Sequence, residues 1–134
     1  MVKKEVLKKG KKKRKKKAVH KDLRKLLSIA CIERDNEQCV RCGSTEKLSA
    51  SHIYPKGAYP RIQYELDNVK TLCYGCHLGF WHKNPVEAKK WLDNWLPKDW
   101  AERLEYLRFN YNKLPKLDDK QLNEIHLKLC QTKV

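Results

Sequence analysis

Two Cys-x-x-Cys pairs constrain the fold of this chain more than any other feature of its sequence. The pairs are Cys39-x-x-Cys42 and Cys73-x-x-Cys76, and the thirty residues 43–72 separate them. Each pair can present two thiolates from one tight turn, and two such turns brought together form the tetrahedral sulfur site that zinc prefers. The spacing therefore predicts one structural zinc ion with four thiolate ligands and no open position for water.

The positive charge of the chain is concentrated near its N terminus. Residues 1–28 contain fourteen Lys or Arg and two acidic residues, so they carry +12 of the net charge of +15. Residues 1–19 cannot bury enough apolar surface to order themselves and are predicted to form a disordered basic arm. Such an arm attracts polyanions by releasing condensed counterions, which favours nucleic acid as the partner. The candidate phosphate contacts within it are Lys11, Lys12, Lys13 and Arg14.

The length and hydropathy of the chain predict one folded body. Residues 20–134 suffice for a single domain, and we expect a monomer. No window is apolar enough to span a bilayer, so we expect a cytoplasmic protein with no membrane partner. A reducing compartment keeps thiols available as metal ligands. Cys31 and Cys130 fall outside the paired pattern and, being on apolar helix faces, are predicted to be core residues.

The pattern of apolar and turn-forming residues predicts an α+β fold. A helix over 22–34 precedes the first cysteine pair, and short strands over 48–53 and 69–72 flank a loop that contains Pro55, Gly57 and Pro60. So small a sheet needs an additional cross-link. The further predicted helices run from about 76 past 82, then over 84–96, 98–111 and 118–131. Four tryptophans at helical spacing among leucines are predicted to be core residues: Trp81, Trp91, Trp95 and Trp100.

Three polar residues are positioned to meet at one site. His52 ends the first predicted strand, Asn68 precedes the second, and His77 directly follows the last cysteine. A strand, a loop, a strand and a helix in this order can bring the three side chains toward one concave surface.

These residues together resemble a known nuclease motif. Cys39-x-x-Cys42, Ser51-His52-Ile53-x-Pro55 and Asp67-Asn68-Val69-x-x-Leu72-Cys73-x-x-Cys76-His77 resemble the zinc-knuckle form of the HNH, or ββα-metal (His-Me finger), endonucleases, which include phage-encoded enzymes. The likeness covers about a third of the chain. It implies a ββα-metal core at about 36–83 within an HNH nuclease domain over 20–134, with C-terminal helices over 84–132. A phage origin would place the protein in the host cytoplasm.

The resemblance also implies an activity, metal-dependent hydrolysis of a DNA phosphodiester bond that nicks one strand. By family role His52 would be the general base, and Asn68 would hold the loop and orient His52. His77 would be a ligand of a single catalytic cation, most often Mg²⁺ or Mn²⁺.

One position departs from the family pattern. The family commonly has an Asp or His metal ligand just before the general base, whereas this chain has Ser51. His82, about 1.4 helical turns after His77, is the predicted replacement. Ser51 itself and Asp67 are weaker candidates for the same role.

Basic residues close in sequence to the proposed site are candidate phosphate contacts, although solvated surface charge explains them equally well. They are Lys56, Arg61, Lys70 and Lys83. Two other functions remain open at this point. One is a zinc-dependent DNA-binding module without catalysis, and the other is an HNH nuclease that acts on RNA or branched DNA.

Overall fold

The computed structural model describes the backbone of residues 2–111 and 116–131, and the side chains of residues 17–111 and 116–131. It shows a mixed α+β fold with several helices and one small antiparallel sheet. The four paired cysteines cluster beside that sheet. The α+β class predicted from the sequence is therefore confirmed at this level.

The first helix, α1, spans Val2–Arg34 without interruption. The sequence predicts a helix over 22–34 after a disordered arm over 1–19, and here the structure differs because the helical backbone begins at Val2. Lys and Arg have high helix propensity and no proline interrupts the segment, so a helix anchored in its second half can extend through the basic stretch. The side chains of Lys11, Lys12, Lys13 and Arg14 lie outside the described residues.

The sheet consists of two strands, β1 (Leu48–His52) and β2 (Val69–Cys73). They pair antiparallel, with Ser51 opposite Lys70 and His52 opposite Val69. An isolated pair of strands is marginally stable, and here the second edge of β2 is also bonded. The Thr71 amide donates to the Asp35 carboxylate at 2.9 Å, and the Thr71 carbonyl accepts from the Val40 amide at 3.0 Å. The end of α1 and the first cysteine turn therefore support β2.

The segment between the strands contains two 3₁₀ turns, Pro60–Ile62 and Leu66–Asn68. After β2 comes a single α-helical turn, α2 (Tyr74–Cys76), which continues as a π-helical segment, His77–Trp81. The helix predicted from about residue 76 past 82 is thus present, but directly after Cys76 it is a π-helix rather than an α-helix.

The remaining helices are α3 (Pro85–Trp95), α4 (Lys98–Tyr111) and α5 (Asp119–Gln131), close to the predicted bounds. Within residues 2–111 and 116–131, none of the helices combines the length and apolar character that a membrane crossing requires.

The main core joins the two ends of the chain to the sheet. Leu23 and Leu27 of α1 pack with Val69 of β2 and with Leu122 and Leu129 of α5. Cys31 belongs to this core, as predicted. The prediction for Cys130 is wrong because its side chain is exposed. Cys130 follows the buried Leu129 by one residue, and one residue turns the helix by about 100° toward solvent.

The four tryptophans are half-buried rather than fully buried, and they connect successive helices. Trp81 and Trp91 pack against the cysteine cluster. Trp91 stacks on Trp95 with ring centroids 5.3 Å apart, and Trp95 meets Trp100 edge-on at 5.3 Å. Their role in packing agrees with the prediction. The ring contacts from Trp91 through Trp95 to Trp100 connect the cysteine cluster to α4.

Candidate functional site

Four cysteines form a possible metal site that is compatible with structural zinc. The sulfur atoms of Cys39, Cys42, Cys73 and Cys76 all lie within 4.8 Å of one another, and Cys42 Sγ and Cys73 Sγ are 3.5 Å apart. A tetrahedral zinc ion with bonds of about 2.3 Å requires its sulfurs to be roughly 3.8 Å apart. Among the described residues this is the one group of three or more Cys, His or acidic ligands that lie this close together.

The first cysteine turn has the backbone geometry that a thiolate site needs. Gly43 adopts a φ of 78°, in the left-handed region, and its amide donates to the Cys39 carbonyl at 2.9 Å. Burial raises the pKa of Cys39, but backbone amides, including those of Cys42 and Cys73, outweigh this and lower the pKa to about 7. Amide donors therefore stabilise the Cys39 thiolate, which is the form that binds metal. By contrast, burial raises the pKa of Cys76, and the thiols of Cys73 and Cys39 raise the pKa of Cys42 against the effect of the Ser44 amide.

Arg41 is a neighbour of the cluster that the sequence analysis does not identify. Its guanidinium donates to Cys76 Sγ at 3.4 Å and lies over the Phe80 ring at 3.5 Å from the centroid. A positive charge beside four thiolates offsets their mutual repulsion. Its position between the two cysteines of the first pair is the signal in the sequence that points to this role.

His52, at the end of β1, is fixed in one tautomer by its surroundings. His52 Nε2 lies 2.8 Å from the Gln63 carbonyl oxygen. A carbonyl can only accept, so Nε2 carries the hydrogen and Nδ1 keeps its lone pair. Burial lowers the pKa of His52 below 6.5, and the nearby charges of Lys56 and Lys70 lower it further against the opposing effect of the Gln63 bond. His52 is therefore a neutral imidazole with a free basic nitrogen at neutral pH.

Asn68 is fully buried and ties the loop between the strands together. Its Oδ1 accepts from the Tyr54 amide at 2.8 Å, and its Nδ2 donates to the Tyr54 carbonyl at 3.0 Å and to the Ile62 carbonyl at 3.2 Å. One side chain thus bonds the residue after Ile53 and the turn that precedes Gln63. Since Gln63 accepts from His52, both Asn68 and His52 bond the same part of the loop.

His77, at the start of the π-helical segment, is oriented by β1. Ser49 Oγ donates to the Leu72 carbonyl at 3.5 Å and lies 3.0 Å from His77 Nδ1. A hydroxyl can donate or accept, and in the tautomer whose Nδ1–H donates to Ser49 Oγ, His77 Nε2 keeps its lone pair. Burial lowers the pKa of His77, as do the charges of His82, Lys70 and His52. Ser49 is another residue that the sequence analysis misses, because a serine two positions before Ser51 carries no distinctive pattern.

The π-helical segment brings His82 next to His77. The His82 amide donates to the His77 carbonyl at 3.1 Å, and the two ring centroids are 4.7 Å apart. In a regular α-helix, residues five apart are separated by about 140° around the axis. The wider π turn removes most of that angle, so this pair depends on the local backbone.

His52, His77 and His82 line one cavity of about 740 Å³. Trp81 forms part of the same wall, and Lys56, which is exposed, stands at the edge. His52 and His77, which the resemblance places in the catalytic site, and His82, the predicted replacement ligand, therefore open onto a shared space.

Ser51 and Lys70 form a buried pair across the two strands. Lys70 is 0% exposed, and its ammonium donates to Ser51 Oγ at 3.3 Å and lies 3.2 Å from the centroid of the Trp81 ring. A buried ammonium cannot contact a phosphate at the surface, so the prediction of such a contact for Lys70 is wrong. Its position opposite Ser51 in the sheet register is the reason. Ser51 in turn faces a positive charge, which opposes its use as a cation ligand.

Asp67 is also engaged elsewhere. Its carboxylate accepts from the Arg103 guanidinium at 3.1 Å, its carbonyl accepts from Trp100 Nε1 at 2.7 Å, and it does not line the cavity. Of the other predicted phosphate contacts, Lys83 is exposed, whereas Arg61 is half-buried and lines a second hollow of about 240 Å³. Ser51 and Asp67, the weaker candidates for the missing ligand, do not line the cavity that His52 and His77 line, whereas His82 does.

Replacing Lys70 by Met is expected to stabilise the fold, and by an amount that depends on pH. Burial lowers the pKa of Lys70 from 10.5 to about 7, and no ion pair among the described residues compensates its charge. Below pH 7 the folded state carries the full cost of the buried ammonium, on the order of 5 kcal/mol. The unfolded chain binds more protons than the folded one between pH 7 and 10.5, so the wild type gains stability relative to the variant over that range.

The measurement is the free energy of unfolding in urea for both proteins at pH 6, 8 and 9.5, with saturating zinc. The difference should be largest at pH 6 and should shrink as the pH rises. Lys120→Met on the exposed face of α5 is the matched control and should show no such trend. A pH-independent difference for Lys70→Met would show that Lys70 is not buried as a charged group.

Comparison with known proteins gives no relative: no family model, curated protein or solved structure matches the chain significantly. The resemblance to HNH endonucleases therefore depends on the quoted motif and on the contacts of His52, Asn68 and His77.

Proposed function

We propose that this protein is a metal-dependent endonuclease of the HNH type, with a ββα-metal core, that hydrolyses a DNA phosphodiester bond and nicks one strand. One observation supports the proposal above the others. His52 and His77 are each held by one ring nitrogen, and both line the same cavity. The residues quoted for the resemblance thus occupy positions that suit the roles it implies.

The chemistry proposed for His52 follows from its tautomer. His52 Nδ1 accepts a proton from a water molecule as the water oxygen forms a bond to phosphorus, and the bond from phosphorus to the leaving oxygen breaks. The hydrogen bond from Nε2–H to Gln63 holds the ring in place and stabilises the imidazolium that forms. Asn68 keeps Gln63 in position through the loop, so it is a positioning residue.

The donor set at the other end of the site fits a catalytic cation. His77 Nε2 and the adjacent imidazole of His82 can each offer a nitrogen ligand, and the Ser49 hydroxyl, 3.0 Å from His77 Nδ1, orients the His77 ring, as partners of metal-ligating histidines do. Two protein ligands suffice for a cation that also binds water and substrate phosphate, and imidazole nitrogens suit a transition-metal cation better than Mg²⁺, which prefers oxygen ligands. Such a cation, Mg²⁺ or Mn²⁺, would supply charge stabilisation at the phosphate and the leaving oxygen.

Cleavage of supercoiled plasmid by the purified, zinc-loaded protein tests the proposal. We expect a nicked circular product with Mg²⁺ or Mn²⁺ and none when zinc at the cysteine site is the only divalent cation present. Binding of plasmid without any nicking under all these conditions would instead support a zinc-dependent DNA-binding module. Nicking of RNA or branched DNA alone would keep the chemistry and change the substrate.

Replacing His82 by Ala is expected to weaken Mn²⁺ binding by about tenfold or more, because one of two protein ligands is lost. Isothermal titration with Mn²⁺, after the cysteine site is saturated with zinc, measures this directly. His126→Ala is the matched control, since His126 is an exposed histidine on α5 that contacts Cys130. Equal Mn²⁺ affinity of the wild type and His82→Ala would remove His82 from the metal site.

A further inference from the structure

The cavity beside the histidines extends well past them. The histidines and Trp81 line one end, and the rest of the space continues between α1 and α3. The walls there are built from Leu27 of α1 and from Ala88 and Leu92 of α3, all of them buried side chains. A scissile phosphate and its cation require only the histidine end, so the apolar part is unexplained by the proposed chemistry. We call this part, between α1 and α3, the apolar chamber.

The rim of the apolar chamber is positively charged. Arg24 of α1, Lys56 of the loop and Lys89 of α3 line the cavity, against one carboxylate, Asp93. All four side chains are exposed. Trp81 adds an aromatic face to the lining, and an apolar and aromatic interior below a cationic rim suits a ligand with flat faces that can stack and an anionic attachment. A nucleobase joined to its sugar and phosphate has this chemistry.

We propose that the apolar chamber binds the base of an unpaired nucleotide next to the bond that is cut, so that the substrate is single-stranded or locally unpaired nucleic acid. The inference rests on the proposed nuclease function and specifies its substrate class. In a duplex the bases are stacked and paired in the interior, and a base can enter a protein cavity only by leaving the stack. That step costs a few kcal/mol in a duplex and least where the nucleotide is already unpaired.

The apolar chamber is continuous with the histidine site, and this would place the proposed nucleotide beside His52. Ala50 and Ile53, which flank His52 in the sequence, also line the cavity. The chamber therefore begins directly beside His52, the proposed general base. Apolar and aromatic surfaces bind bases without selecting a sequence. The arrangement therefore predicts a preference for strand structure rather than for a base sequence.

The test is binding of fluorescently labelled DNA by the zinc-loaded full chain, without any catalytic divalent cation so that no cleavage occurs. Four DNAs of equal length are compared: a duplex, the same duplex with one unpaired extra nucleotide, that DNA with an abasic unit at the unpaired position, and a single strand. We expect the unpaired nucleotide and the single strand to bind about tenfold or more tightly than the duplex. The abasic unit should remove most of that gain.

Two pairs of variants locate the effect in the chamber. Ser28 of α1 lines the cavity, and Ser28→Leu should fill it and abolish the preference, whereas Ser28→Ala should retain it. Lys89→Glu should weaken binding of the unpaired nucleotide more than Lys90→Glu does. Lys90 is the adjacent residue, does not line the cavity and forms only an exposed ion pair with Glu87.

The outcomes separate this inference from the proposed function. Equal binding and nicking of paired and unpaired DNA would overturn the nucleotide site and leave the nuclease intact. A binding preference without cleavage of any DNA would support the nucleotide site and overturn the nuclease. A concentration-dependent dimer that Ser28→Leu abolishes would show that a second copy occupies the chamber, which would also overturn the inference.

Discussion

Replacing His52 by Ala is expected to lower the rate of plasmid nicking by about 10²–10⁴-fold, the usual contribution of a general base. DNA affinity and zinc content should remain at wild-type levels, because His52 is a neutral side chain that bonds the Gln63 carbonyl and is not part of the cysteine cluster. The measurement is the initial rate of nicking, with fluorescence anisotropy for binding and atomic absorption for zinc.

A second substitution separates the chemical role of His52 from its structural one. His52→Gln retains an N–H donor for the Gln63 carbonyl and lacks a basic nitrogen, so it should be as inactive as His52→Ala. Recovery of nicking in His52→Gln would mean that the histidine only holds the loop. His126→Ala is the control for loss of a histidine elsewhere and should nick at the wild-type rate.

The proposed role of His52 as general base also predicts how the nicking rate depends on pH. Burial lowers the pKa of His52 below 6.5, with Lys56 and Lys70 adding to the shift. A general base must be unprotonated, so the rate should be flat through neutral pH and should fall only as the pH drops below 6.5. A nicking rate that already declines between pH 8 and 7 would assign the base to a different group.

Removal of zinc is expected to unfold the region around the two cysteine turns. Structural zinc contributes on the order of 10 kcal/mol to the folding of small zinc-dependent domains, which is comparable to the whole stability of a domain this size. The cysteine cluster also packs against Leu72, Trp81 and Trp91, so its loss should expose two tryptophans. We expect a loss of far-ultraviolet circular dichroism and a red shift of tryptophan emission on chelation, both reversed by added zinc.

Single substitutions test which thiols bind the metal. Cys42→Ser should lower the bound zinc from one ion per chain to none, and the variant should resemble the stripped protein. Cys130→Ser is the control, since Cys130 is an exposed cysteine of α5 outside the cluster. An unchanged dichroism spectrum after complete removal of zinc would contradict a structural role for the ion.

Local patterns in the sequence predict those parts of the structure that local interactions determine. The bounds of α3, α4 and α5 follow from apolar periodicity and from the prolines at 85 and 97. The two strands and the cysteine cluster follow from alternation and ligand spacing. Each of these features depends on residues that are close together in the chain or on a fixed set of ligand types.

Other features depend on which residues meet across the fold. Lysine is ordinarily a surface residue, and the burial of Lys70 is explained only by its position opposite Ser51 in the sheet and by its contact with the Trp81 ring. Asp67 has the right chemistry for a metal ligand, yet Arg103, thirty-six residues later, binds its carboxylate. The tautomers of His52 and His77 likewise depend on a backbone carbonyl and a serine that no motif includes. No one-dimensional pattern encodes these pairings.

The π-helical segment has a consequence for how such sites tolerate change in chain length. A π turn is an α turn that contains one extra residue, and histidines four apart in an ordinary α-helix already share a face. The five-residue step from His77 to His82 and a four-residue step without the bulge would therefore place two imidazoles side by side. A deletion of one residue that removes the bulge need not separate the pair, and a search that demands a fixed interval between histidines would overlook equivalent sites.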